Sequence, residues 1–276
     1  MKMSRRLIIG LPLLLASVVA TTAAMNVPMR ETSTTTHVRS RNTKPAWYKA
    51  RQRPITPGQK AALRTLWPQY GLTFSYHSPL DLPSAFHPRT PNTTTTITPT
   101  TLEIGCGAGE ALVEYAASHP SRNFLGVDWY RSGLATCCTT LATRGLTNAR
   151  LVRADAHLLL DRGLPPVPTF DEVLIFFPDP WYRAEERRMV RAEIIEGLGK
   201  RMHRGGILHV ATDVVGYPDH VRELLGSDGF KEAWREVDAA ERRERRPSTK
   251  YERDGIAAGR TVVDLCYVFD PPEQRS

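Results

Sequence analysis

The sequence predicts an α/β fold in which a mainly parallel sheet carries helices on both faces, and three observations predict it. From residue 101 onward, short apolar runs alternate with longer stretches of helical period; strands that alternate with helices pair in parallel and bury both faces of their sheet. A glycine-rich turn, Gly105-Cys106-Gly107-Ala108-Gly109, joins the first of these runs directly to a helical stretch. Later runs end on or just before an acid: Asp128, Asp155, Asp179 and Asp213. In such a sheet, ligands bind outside the carboxyl ends of the strands, so acids recurring there read as a site.

The first 45 residues are set apart from this fold. Lys2, Arg5 and Arg6 precede an uncharged run from Leu7 to Ala24 that ends in small residues, the layout of a cleaved signal or of an organelle presequence. A membrane anchor is the competing account, and membrane contact is expected only if this run is retained. Met25 to Lys44 is rich in Thr, Ser and Arg, a composition that cannot bury a core. The expected destination is an organelle, plastid or mitochondrion, with the cytoplasm as the alternative.

Residues 46–100 read as a basic arm, a short helix and a linker. Lys49, Arg51 and Arg53 lead into Thr56-Pro57, a helix start, and Gln59 to Trp67 is expected to turn Leu63, Leu66 and Trp67 toward a core. Pro79, Pro83, Pro88, Pro91 and the Thr93–Thr96 run make 79–100 a flexible surface loop by composition. The main domain spans 101–270, with a tail at 271–276. Its predicted strands are Thr101–Ile104, Phe124–Asp128, Ala149–Arg153, Glu172–Phe177, Ile207–Ala211 and Val262–Phe269. Helices are expected near 110–118, 131–145, 185–203 and 216–226; the third carries mixed charge and reads as a solvated face.

Composition narrows the function classes. A chain of 276 residues with 41% hydrophobic and 24% charged residues is globular in type, and a formal net charge of +8 favours a polyanionic partner such as nucleic acid. Cys106, Cys137, Cys138 and Cys266 form no C-x-x-C pair and have no histidine at ligand spacing, so neither a metal site nor a disulfide framework is implied.

The glycine turn is a nucleotide cradle: glycine reaches backbone angles closed to other residues and lets a ligand approach the main chain. A dinucleotide fingerprint would place its third glycine at 110, where this chain has Glu110; the third is Gly109, which weakens a nicotinamide reading. Glu103, two residues before Gly105, suits the cationic amino-acid end of S-adenosylmethionine. Asp128 can accept both ribose hydroxyls of an adenosine or cap the helix that follows. Asp155 can accept from an adenine amine or cap a helix at His157. In Phe176-Phe177-Pro178-Asp179-Pro180-Trp181, two prolines lock the backbone around one carboxylate beside an aromatic, an arrangement that suits a planar base. Arg242 to Lys250, running into Tyr251-Glu252-Arg253, is rich in phosphate- and base-contacting types.

These blocks together resemble the tRNA (guanine-N7)-methyltransferase family. Leu102-Glu103-Ile104-Gly105-Cys106-Gly107-Ala108-Gly109, Phe124 to Asp128, Phe176 to Trp181, His209 to Asp213 and Arg246-Pro247-Ser248-Thr249-Lys250-Tyr251-Glu252 fall in the family's order over about residues 47–270. The glycine turn is generic to class I methyltransferases, whereas the F-F-P-D-P-W and T-K-Y-E blocks are specific. The resemblance implies a Rossmann-like class I methyltransferase fold with a seven-stranded sheet. It also implies methyl transfer from S-adenosylmethionine to N7 of guanine 46 in the variable loop of tRNA. Glu103, Gly105, Gly107, Gly109, Asp128 and Asp155 would bind the cofactor, Asp179 would be catalytic, and Arg183, Asp213, Thr249, Lys250, Tyr251 and Glu252 would meet the substrate. Monomer, homodimer and a complex with an accessory subunit stay open. So do two alternatives: methylation of another nucleobase or a small molecule, and a non-catalytic RNA-binding relative.

The chain departs from the family at three places. Asp128 stands where the family often has Glu, and Tyr182 follows Trp181 where a histidine is usual. The basic stretch after Trp181 is shorter and includes Glu185 and Glu186.

Overall fold

The computed structural model describes residues 54–75, 78–86, 98–225, 229–235 and 239–271. The presequence, the basic arm at Lys49, Arg51 and Arg53, the Thr93–Thr96 run and the tail from 272 lie outside them. Helix α1 (Pro57–Tyr70) starts at a capping box, in which Thr56 Oγ1 accepts from the Gln59 amide at 3.2 Å and Gln59 Oε1 accepts from the Thr56 amide at 3.0 Å. Its Leu66 and Trp67 pack on the core and Tyr70 is buried. The chain then forms β1 (Gly71–Leu72) and α2 (Leu82–Phe86). Instead of a loop, 80–86 is therefore anchored: Leu80, Leu82 and Phe86 are buried in the core, at roughly 1.5–3 kcal/mol for each such side chain fully enclosed. Asp81, Pro83 and Ser84 between them hid this apolar spacing.

Next come β2 (Thr100–Ile104), α3 (Glu110–Ser118), β3 (Asn123–Asp128), α4 (Arg131–Thr143) and β4 (Ala149–Arg153). A three-residue α5 (Ala156–Leu158) runs into a π turn at Leu159–Gly163 before β5 (Phe170–Phe176). The last part holds α6 (Ala192–Gly199), β6 (Met202–Thr212), α7 (Tyr217–Leu225), β7 (Phe230–Arg235), α8 (Ala239–Arg245), α9 (Lys250–Ala257) and β8 (Val263–Phe269).

The strands form one sheet in the order β1-β4-β3-β2-β5-β6-β8-β7. All neighbours are parallel except β8, which is antiparallel to β6 and β7. The sheet thus has eight strands rather than seven, because the two-residue β1 adds an edge beside β4. The strand β7 lacks a clean alternation and was not expected. The chain order reverses between β2 and β5, the crevice where open α/β sheets bind ligands.

Alternate residues serve the two faces. Leu125, Val127, Val173 and Ile175 join one core with Ile194, Leu198 and Val221; Phe124, Leu174 and Phe176 join the other with Leu112, Leu134 and Leu141. One predicted helix is corrected. The stretch 185–203 is a 3₁₀ turn at Glu185–Arg187, an irregular segment, and then the short α6. The Arg188 side chain is drawn to the Pro180 carbonyl at 3.1 Å, and the Val190 amide donates to the Tyr217 hydroxyl at 3.3 Å in place of a helical carbonyl. Its charges are not all solvated, for Arg188 and Arg201 are buried.

Candidate active site

Three glycines shape the turn between β2 and α3, with φ of 78° at Gly105, 54° at Gly107 and 80° at Gly109. They serve two purposes. A Cβ on Gly105 would meet nothing within 4 Å, and one on Gly107 would touch only the Gly105 carbonyl at 4.0 Å, so these two leave a cradle that side chains would fill. A Cβ on Gly109 would fall 2.2 Å from Cys137 Sγ; this glycine lets α3 press against α4.

Asp128, at the end of β3, closes the turn from the other side. Its Oδ2 accepts from the Gly107 amide at 2.8 Å and its Oδ1 from the Tyr130 amide at 2.7 Å. Burial pushes its carboxyl up; these amides pull it down, and the Asp179 charge pushes it up again. Glu103 is 4% exposed, and its Oε2 is buried without a hydrogen-bond partner. Burial first, and then the charge of Asp128, push its carboxyl up to about 8. An unpartnered buried carboxylate oxygen beside an open glycine cradle is a site waiting for a cation or a donor.

Asp155 caps α5, accepting from the Leu158 amide at 3.1 Å. The loop after β5 holds two non-glycine residues with positive φ, Phe177 at 51° and Trp181 at 41°. Each costs of order 1–3 kcal/mol and persists because its surroundings enforce it. The Phe177 amide still donates to Ala211 O at 2.7 Å, Arg188 holds Pro180 as described, and Arg187 lies 5.3 Å over the Trp181 ring. Between these ties sits Asp179, whose carboxyl is also pushed up by burial.

Thr249 caps α9, its Oγ1 accepting from the Glu252 amide at 3.3 Å. Glu110, the first residue of α3, draws the start of α9 onto the glycine turn: it accepts from the Lys250 amide and pairs with Arg253 at 3.3 Å. One cleft is lined by Glu103, Gly105, Gly107, Phe176, Phe177, Thr249, Lys250 and Tyr251. Gly109, Asp128, Asp155, Asp179, Arg183, Asp213 and Glu252 are not among the residues that line it. Arg183 is exposed. Asp213 pairs with Arg260 at 2.7 Å, and its carboxylate packs where a Cβ on Gly255 would be. Glu252 is fully enclosed: it accepts from Arg246 at 2.9 Å and from Arg243, which ties α9 to both arginines. A larger cavity, about 680 Å³, lies elsewhere, between α3 and Arg243 to Pro247. It contains none of the glycine turn or its carboxylates.

A family model described as "Putative methyltransferase" matches residues 97–265. Among curated proteins, the tRNA (guanine-N(7)-)-methyltransferase of Halorhodospira halophila is 37% identical over 224 residues, covering 80% of this chain and 93% of that protein. The protein of the same name from Sodalis glossinidius is 35% identical over 220 residues, 79% of this chain and 88% of that one. The chain belongs to the tRNA (guanine-N7)-methyltransferase family. Among solved structures, the 16S rRNA methyltransferase KamB aligns with a TM-score of 0.51 at 17% identity, over 79% of this chain and 96% of that one, a likeness of fold.

For a member of this methyltransferase family, several residues that build the cleft had not been singled out from sequence. Glu110 was read only as a departure from a dinucleotide fingerprint, yet it ties α9 to the turn. Arg188, His209, Arg246 and Asp264 are all buried. For His209 and Asp264 a signal was present, since each is a charged or polar residue inside an otherwise apolar strand run, and such residues need partners.

Proposed function

We propose that this methyltransferase moves a methyl group from S-adenosylmethionine to N7 of guanine 46 in the variable loop of tRNA. The observation that carries the reading is the unpartnered, buried Glu103 Oε2 beside the open cradle of Gly105 and Gly107. A group with a cationic amino-acid end and an adenosine fits these residues: Glu103 would receive the ammonium, the glycine turn the main body, and Asp128 the ribose hydroxyls on its remaining lone pairs. Asp155, whose side chain caps α5 with one oxygen, would offer the other to the adenine amine. When bound, S-adenosylmethionine supplies an electrophilic methyl carbon next to a sulfonium.

The work left to the protein is placement. N7 of guanine carries a free lone pair, so no base is required, and alignment of the two reactants supplies most of the rate. Asp179 would accept from the guanine N1–H and its exocyclic amine, orienting N7 toward the cradle. Its charge, fixed before reaction, favours the positive charge that develops on the ring. The positive φ at Phe177 and Trp181 fixes the loop that carries this carboxylate. Lys250 and Arg183 would bind phosphates, so affinity should fall with salt.

The experiment is methyl transfer by the full chain from labelled S-adenosylmethionine to unmodified tRNA, followed by separation of the nucleosides. Label in 7-methylguanosine at position 46 is expected. Label in another nucleoside replaces the target base, and cofactor binding without label in RNA refutes the activity of the isolated chain.

A further inference from the structure

The loop carrying Asp179 and the helix carrying Lys250 and Tyr251 are some seventy residues apart in sequence, yet one side chain touches both. Arg246 is 1% exposed. Its guanidinium carbon lies 5.3 Å from the centre of the Phe176 ring and 5.4 Å from that of Phe177, the residue whose positive φ starts the Asp179 loop. Its Nη1 donates to Glu252 Oε2 at 2.9 Å, inside α9. Its Nε and Nη2 donate to Asp264 Oδ1 and Oδ2, at 2.5 and 3.2 Å, near the start of β8.

The surroundings make this junction rigid. Asp264, 0% exposed, also accepts from Arg242 Nε at 2.7 Å and from His209 Nε2 at 2.9 Å. The His209 ring meets Phe176 edge-on with centroids 5.0 Å apart. A buried ionic cluster of this kind adds little stability over apolar residues of the same volume, so stability does not account for it. A planar guanidinium can face two aromatic rings while its edges bond in fixed directions to two carboxylates. Neither an apolar residue nor lysine can do both.

We infer that Arg246 is a positioning residue that locks the Asp179 loop and α9 into one register. The two walls of the cleft therefore hold or open together. For its kinetic arm alone this inference rests on the methyl-transfer reading above.

The test is Arg246→Lys in the full chain, which keeps a charge between the two carboxylates and removes the plane and the fork. Amide hydrogen exchange reads the lock without any turnover. Peptides over 177–182 and 250–257 are expected to exchange faster together by about tenfold or more, with those over β2 to β4 unchanged. In parallel, kcat should fall by about a hundredfold, as expected for a small misplacement of reacting groups, while S-adenosylmethionine affinity stays within about threefold. Loosening of one segment without the other, or of neither, overturns the inference, as does a kcat within about threefold of wild type. If the lysine variant does not unfold cooperatively, Glu252→Gln decides, since it weakens only the link to α9. Loosening at both segments then supports the lock, and loosening confined to 250–257 overturns it. A wild-type chain that transfers no methyl group would refute the substrate reading and leave the exchange result standing.

Discussion

Replacing Glu103 by glutamine removes the ionisable group and keeps the shape, and its consequence can be worked out in sign and size. The folded carboxyl is pushed up from its ordinary 4.5 to about 8, by burial and then by Asp128, with a backbone hydrogen bond from Leu112 pulling the other way. Between those two values the folded protein holds a proton that the unfolded chain has released. Stability contributed by the protonated Glu103 is therefore fully present below 4.5 and is lost as pH rises through 8. At 1.36 kcal/mol per unit, the full loss is about 5 kcal/mol. The glutamine variant has no such loss. Urea unfolding of both proteins without cofactor, from pH 5 to pH 8, should show the variant gaining on wild type by about 4 kcal/mol over that range. Cofactor binding should move the opposite way. In wild type the ammonium must displace the Glu103 proton, so affinity rises with pH up to about 8 and calorimetry in two buffers should detect proton release; the variant binds weakly at every pH. A stability difference between the two proteins that stays constant with pH would refute the assignment of a protonated Glu103.

Three further outcomes follow from the same geometry. Asp179→Asn keeps the loop and should cut methyl transfer by about 10²-fold or more, with cofactor affinity unchanged by calorimetry, because a preorganised charge facing the guanine is lost. Gly105→Ala and Gly109→Ala should separate the two uses of glycine. The first, with open space around its Cβ, blocks the cradle and costs only backbone strain of roughly 1–2 kcal/mol. The second meets Cys137 Sγ at 2.2 Å and should lose roughly 2–5 kcal/mol in urea unfolding. Asp264→Asn should destabilise by about 3–5 kcal/mol at neutral pH, since Arg242 and Arg246 lose one of their two buried counter-charges and keep only Glu252. Burial would raise this carboxyl, but the hydrogen bonds and charges of His209 and Arg246 outweigh it and hold it well below its ordinary 3.8. Its contribution is present above 3.8 and is lost as pH falls through the lower folded value, so the gap to wild type should close in strong acid.

The central strands and their order of use were legible because each is a short apolar run closed by glycine or an acid, a signal local to the chain. The glycine turn and the P-D-P loop were legible for a related reason: their strain has to be encoded where it occurs, by glycines at 105, 107 and 109 and by prolines at 178 and 180. What was not legible is set by partners far away in sequence. Whether Glu252 faces a substrate or a core depends on Arg246 and Arg243, and whether Arg188 is solvated depends on the Pro180 carbonyl and on Tyr217. That Asp213 ends a strand could be read locally, whereas its pairing with Arg260 at 2.7 Å could not. The segment 80–86 was misjudged for a different reason, since five helical residues carry too little periodicity to outweigh the prolines and threonines around them.

The charges at the two sides of the cleft are handled in opposite ways, and the difference bears on function. Behind α9, every buried carboxylate has arginines: Asp264 and Glu252 are each met by at least two. On the sheet edge, Glu103, Asp128 and Asp179 have no arginine or lysine ion pair among the described residues, and the carboxyls of all three are pushed up by burial. A protein able to neutralise one set of acids this thoroughly does not leave the other set bare for want of cations. The bare edge costs stability until positive charge meets it, and returns that stability when a cation binds. The paired cluster behind it holds the geometry in which that charge is received. The paired acids thus supply rigidity, while the unpaired ones are left able to receive positive charge.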